Sequence, residues 1–124
     1  MKITIPISFG ELYDKISILE IKLGNMDAPD KIANVAKELK ELLEISKEYP
    51  IMDEDYQKLK NVNQRIWEIE DGIREEEKNK RWDADFIEFA RQVYFNNDKR
   101  SMIKKEINLR YGSDFIEEKS YQRY

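Results

Sequence analysis

The sequence predicts an all-α fold: a bundle of four to five helices with a long antiparallel helical hairpin and a short extended N-terminal arm. Three observations predict it. Apolar residues recur at three- and four-residue steps along most of the 124 residues, the period of one helical face. Four glycines and three prolines are too few for a chain of short strands and tight turns. Apolar residues make up 40% and charged residues 39%, and the regular spacing of the former marks solvated helical surfaces instead of disorder.

Residues 2–7, KITIPI, put Ile3, Ile5 and Ile7 on one side, and Pro6 keeps them out of a sheet interior. Residues 1–8 are therefore expected to form an arm that lies on the helices or pairs with a second copy. Ser8 and Glu11 have the spacing of a capping box, which starts the first helix. There Phe9, Leu12, Tyr13, Ile16, Leu19, Leu23 and Met26 make a broad apolar face, and Ile18 and Ile21 lie off it. A helix apolar most of the way round is expected at the centre of the bundle. Gly24 and Asn25 are expected to end it, since both tolerate a left-handed cap.

Asp27 and Pro29 predict the start of a second helix, with Ile32, Val35, Ala36, Leu39, Leu42 and Leu43 as its stripe. Asp53 is expected to cap the third. Its Leu59, Val62, Ile66, Ile69 and Ile73 come close to coiled-coil spacing. The short connection around Pro50 predicts that these two helices are antiparallel neighbours and form the long hairpin. Residues 70–81 read as an exposed, charged helix end. Trp82 and Asp83 open a fourth helix carrying Phe86, Phe89, Ala90 and Val93. A break is expected at residues 96–98, NND, before a fifth helix with Met102, Ile103, Ile107 and Tyr111 that stops at Gly112. Residues 112–124 are expected to be an irregular tail, and 1–124 a single helical domain.

The chain has no cysteine and no histidine, which excludes disulfides, thiolate nucleophiles, Cys/His zinc sites and Ser-His-Asp triads. Any catalysis would have to use carboxylates, Lys, Tyr, Arg or a carboxylate-bound hard cation. A net charge of −4 gives no support to nucleic-acid coating, which needs a dominant basic surface. Residues 97–124 nevertheless carry seven Lys or Arg against five acids, or +2, which leaves −6 for residues 1–96. That basic end reads as a solvated helix face, or as a place to hold a phosphate group or an acidic partner. Neither a signal-peptide pattern nor a membrane-length apolar run is present, so a cytoplasmic protein with no membrane association is expected.

The opening SFGELYDKISILEIK, with ARQVYFNNDKRSMIKKEINLRYGS and the late EEKSY, resembles an uncharacterised family of small helical bacterial proteins of unknown function. The resemblance covers nearly the whole chain and implies a complete domain. It carries no activity, cofactor, partner or functional residue.

Three sets of residues could carry chemistry. If the first helix is central, some of Asp14, Lys15, Glu20 and Lys22 must approach the core, and a buried charge persists only when paired. A buried polar network is therefore expected around Asp14, Lys15 and Glu20, with Arg91, Lys99 or Arg100 as partners. The competing reading is a ligand pocket walled by Tyr13, Trp67 or Trp82. Second, Glu38 and Glu41, with Glu68 and Asp71, pair at i and i+3 on the two helices of the expected hairpin. This is similar to the E-x-x-E and E-x-x-D metal site of the all-helical nucleotide pyrophosphohydrolases. That resemblance implies Mg²⁺ on these four carboxylates and hydrolysis of a nucleoside triphosphate. Among 26 acids, surface carboxylates account for the same pattern. Third, Lys15, Arg91, Arg100 and Arg110 could converge on a dianion, as basic residues do in the helical chorismate mutases; their spacing does not require it. No catalytic residue or cofactor is assigned outside the Mg²⁺ alternative. The leading expectation is a non-enzymatic interaction or scaffolding domain that forms a homo-oligomer, with another protein as a further possible partner.

Overall fold

Ser8 starts the first helix as expected: its hydroxyl accepts from the Glu11 amide at 3.1 Å. The computed structural model describes residues 1–124 and contains four helices and no strand. They are α1 (Phe9–Asn25), α2 (Pro29–Ser46), α3 (Asp53–Lys78) and α4 (Ala84–Arg110).

Their directions follow from pairs of residues. Tyr13, near the start of α1, donates its hydroxyl to the Tyr49 carbonyl just past the end of α2, so these two helices are antiparallel. Gly10 faces Lys104 and Asn108 while Asp14 meets Arg100, so α1 and α4 are antiparallel as well. Tyr13 lies by Tyr56 and Ser17 by Asn63, so α1 and α3 run parallel. The bundle is therefore up-down-up-down.

α1 packs against each of the other three helices, as its nearly all-round apolar surface predicts. The core consists of Leu12, Tyr13, Ile16 and Leu19 from α1, Leu39 from α2, Leu59 and Val62 from α3, and Ile103 and Ile107 from α4. Gly10 lets α4 come close, since a Cβ there would sit 2.7 Å from the Lys104 carbonyl oxygen.

The helical hairpin forms between different partners from those expected. α3 packs along α4, and α2 touches α1 without packing on α3. Asp55 pairs with Arg110 at one end of the α3–α4 hairpin, and Gly72 faces the Phe89 ring at the other. The apolar seam of α3 identified a face to be buried; it did not identify the helix that buries it. The connection around Pro50 carries the chain far enough for α3 to join α1 and α4. This leaves α2 with one neighbouring helix and one buried residue, Leu39.

Other boundaries also differ from expectation. The Asn96-Asn97-Asp98 break is absent and α4 continues through it. The Asn96 side-chain amide donates to the Gln92 carbonyl one turn back, and no proline or glycine interrupts the ladder. Gly24 is helical and the cap of α1 is Met26 in an extended conformation. Asp27 and Asp53 are not caps: Ala28 and Met52 hold those positions without a side-chain bond. Pro29 does open α2, and Asp83 caps α4 by accepting from the Asp85 amide. Gly112, with φ of 70°, turns the chain out of α4. The residues that follow contain no helix or strand, and residues 1–7 likewise have none.

Candidate functional site

Asp14 lies on the second turn of α1, on the side enclosed by both α3 and α4, and only 1% of it is exposed. Its carboxylate is fully engaged. Arg100 donates from Nε at 2.8 Å and closes a second bond from Nη2, and the Asn63 side-chain amide donates at 2.9 Å. Asn63 also donates to the Ser17 hydroxyl at 2.8 Å, and that hydroxyl donates to the Asp14 carbonyl. A bidentate guanidinium and a neutral amide together satisfy a charge that burial alone would penalise by several kcal/mol.

Lys104 stands one turn beyond Arg100 on α4 and extends the network toward the surface. Its ammonium lies 2.8 Å from Glu11, 3.9 Å from Asp14 and 3.1 Å from Glu117. Burial pulls the Lys104 ammonium down, but the hydrogen bond to Glu11 and the charge of Asp14 outweigh it, so its pKa is raised. The Arg100 guanidinium is raised too, chiefly by the bond to Asp14.

The start of α1 is closed by the opposite end of the chain. The Phe9 amide donates to Ser113 at 2.8 Å, the Gly10 amide to the buried Asn108 side chain at 2.7 Å, and the Glu11 amide to Ser8. The first three amides of a helix have no intrahelical partner, and here each has one. A second ion pair ties the start of α3 to the end of α4: Asp55 accepts from Arg110 at 2.6 Å and from the Tyr111 hydroxyl at 2.7 Å.

Of the five residues expected in a buried network, the structure brings Asp14 and Arg100 together and leaves three outside. Lys15 is exposed and lies 3.7 Å from Glu11. Glu20 sits at the margin, 3.6 Å from Lys60. Arg91 is on the outer side of α4, paired with Glu88 and stacked on Phe95. The sequence reading missed Lys104, Asn63 and Asn108. Each left a legible signal, a polar residue set inside an apolar stripe: Lys104 beside Ile103, Asn63 beside Val62, Asn108 beside Ile107.

The four carboxylates expected to share Mg²⁺ do not gather, because α2 and α3 are not neighbours. Glu38, Glu68 and Asp71 are exposed, Glu41 pairs with Lys2, and Glu68 lies 3.7 Å from Arg65. No group of three or more acidic side chains is placed to hold a metal ion. The four cations Lys15, Arg91, Arg100 and Arg110 do not converge either; Arg110 is at the Asp55 end.

Two grooves flank the network, and Arg100 lines both. One, of about 460 Å³, lies between α1 and α3 and is walled by Ile18, Ile66 and Trp67. The other, of about 710 Å³, lies between α4 and the segment after Gly112. Of the expected aromatic walls, Trp67 lines the first groove. Tyr13 is buried in the core, and Trp82 is exposed with its indole N–H on Glu77.

No helix is long and apolar enough to cross a membrane. No curated protein and no solved structure matches the chain. One family model covers residues 1–124 from end to end, and by that match the chain belongs to DUF6165, a family of unknown function.

Proposed function

We propose that this protein is a non-enzymatic interaction domain that associates with a second copy of itself. The observation that carries the reading is its surface. The chain exposes 9044 Å² at a mass of 15.0 kDa, whereas a folded monomer of that mass exposes roughly 7,000 Å². The excess, about 2,000 Å² on one chain, is more than the roughly 800 Å² that each partner buries in a standard protein–protein interface. Sixteen large hydrophobic residues are exposed against eleven hydrophobic residues buried in the core. The buried charges, by contrast, each have a partner: Asp14 pairs with Arg100, Lys104 with Glu11 and Asp55 with Arg110.

The interface we assign is the N-terminal arm with the outer side of α2. Ile3 and Ile5 are 86% and 64% exposed, and Lys2 is held beside α2 by its pair with Glu41. Ile45, one turn beyond Glu41 on the same face, is 45% exposed. Because α2 has one neighbouring helix, a second copy is the partner that would cover this face, and a twofold arrangement lets both copies use it. Holding together without cysteine suits a reducing cytoplasm.

Sedimentation equilibrium at micromolar concentration is the test. A dimer mass is expected for the unaltered chain and a monomer mass for the Ile3→Asp, Ile5→Asp double variant. A monomer for the unaltered chain would overturn self-association; a dimeric double variant would overturn the assigned face.

A further inference from the structure

We propose that the groove between α4 and the C-terminal segment binds a small molecule that combines an anionic group with an aromatic ring. Glu117, in that segment, is held by two ammonium groups at once: Lys104 at 3.1 Å and Lys119 at 2.5 Å. Together these lysines form a clamp that already holds a carboxylate. Arg100, one turn along α4 from Lys104, adds a third cation to the lining. Its guanidinium is anchored by Asp14 from behind, which fixes its position without requiring movement on binding.

The same groove also holds an aromatic ring. The Tyr124 ring centroid is 5.1 Å from those of Tyr94 and Phe95, and its hydroxyl donates to Asp98 at 2.5 Å. Tyr121 stands on the same side with Lys119 over its ring at 5.8 Å. The chain's own tail thus displays both halves of the ligand, a carboxylate on the lysine clamp and a ring among tyrosines. The groove's 710 Å³ falls within the range of about 300–1,000 Å³ typical of small-molecule sites.

An incoming anion takes the place of Glu117 on Lys104 and Lys119. Glu117 is 40% exposed on its side chain and belongs to a segment with no helix or strand, so it is the acid in the cluster that can leave. Glu11 and Asp14 remain behind Lys104 when it does, so the buried ammonium is not left unpaired. Phosphates and carboxylates share the required chemistry, and the ring distinguishes both from free inorganic anions.

The test is an NMR titration of the full chain with phenyl phosphate, benzoate, inorganic phosphate and phenol. Saturable shifts at Tyr94, Ser101 and Tyr124 are expected with phenyl phosphate, with benzoate or with both. Affinity should be at least tenfold tighter than for inorganic phosphate or phenol. Glu117→Gln removes the competing carboxylate and should tighten binding several-fold; Lys119→Gln and Tyr121→Ala should weaken it. Both the acid and the two test positions are exposed, so folding is retained in these variants. The proposal is overturned by no saturation at millimolar probe, by inorganic phosphate or phenol binding as tightly as phenyl phosphate and benzoate, by Lys119→Gln or Tyr121→Ala leaving affinity unchanged, or by Glu117→Gln leaving affinity unchanged or weaker. None of these readouts depends on self-association.

Discussion

The carboxylate of Asp14 and the guanidinium of Arg100 lie side by side inside the bundle although 86 residues separate them in the chain. The pair fixes two helices relative to each other, since α1 and α4 must meet in the one register that brings these groups together. Asn63 adds α3 to the same point. Because Asp14 is 1% exposed, water cannot replace a lost partner.

Asp14→Asn should therefore destabilise the fold by about 3 kcal/mol, since it leaves a guanidinium in a site built for a carboxylate. Urea unfolding measures this as a lower midpoint with unchanged slope. Lys15→Gln, one residue away but exposed, should change stability by less than about 0.5 kcal/mol. Equal losses for the two variants would show that the buried pair does not stabilise the fold.

Gly10 and Gly24, both in α1, should respond to alanine with opposite signs. A Cβ at Gly10 would lie 2.7 Å from the Lys104 carbonyl and 3.0 Å from the Asn108 side chain, so α1 and α4 would have to separate. The cost should be about 2 kcal/mol, as for overpacking elsewhere. A Cβ at Gly24 meets nothing within 4 Å, and the residue is helical. Gly24→Ala should stabilise by about 0.5 kcal/mol through helix propensity near a helix end. Thermal melts of the two variants give the comparison directly.

These contrasts indicate which features were legible in the sequence. The period of α1 identified it as the central helix because its apolar residues extend beyond one face, which a peripheral helix cannot afford. The same reasoning located Asp14 and proposed Arg100 among its partners. It failed for the α2–α3 pairing because periodicity reports a buried face and is silent on the neighbour. It failed at residues 96–98 because asparagine caps a helix only where the backbone is non-helical, and here the helix is continuous and the Asn96 side-chain amide bonds back to Gln92. Lys104 was overlooked because its charge was read as surface, whereas the acids that hold it come from residues 93 and 13 positions away.

The tail contacts should depend on pH. The Glu117 carboxyl is held below the usual carboxylate range, first by the hydrogen bond from Lys119 and then by that from Lys104. A lowered folded value means that its contribution is present above the ordinary carboxylate pKa and is lost as pH falls through the lower folded value. Lys104 is raised, so its contribution is complete below the ordinary lysine value and is lost as pH rises through the higher folded one. The tail should thus be held across the neutral range and loosen in acid. Because Glu117 is 40% exposed, the effect on global stability is small and the tail itself is the better reporter. Tyr124 ring resonances followed by NMR should move toward random-coil positions in acid. In Glu117→Gln, which has no carboxyl to protonate at that position, this acid-driven movement should be largely absent.

Two tyrosines in contact offer a sharper comparison, because they present the same hydroxyl in opposite circumstances. Tyr13 and Tyr56 lie with ring centroids 6.1 Å apart. Tyr13 donates to the Tyr49 carbonyl at 2.7 Å, which ties α1 to the end of α2. The Tyr56 hydroxyl oxygen is buried and has no hydrogen-bond partner. Tyr13→Phe removes a made bond and leaves a carbonyl short of a donor, so stability should fall by about 1 kcal/mol. Tyr56→Phe removes only the cost of burying an unsatisfied hydroxyl and keeps the ring packed, so stability should rise by about 1 kcal/mol. Each single variant, measured by urea unfolding, tests its own sign. A loss in Tyr56→Phe comparable to that in Tyr13→Phe would mean that the Tyr56 hydroxyl has a bonding partner in solution.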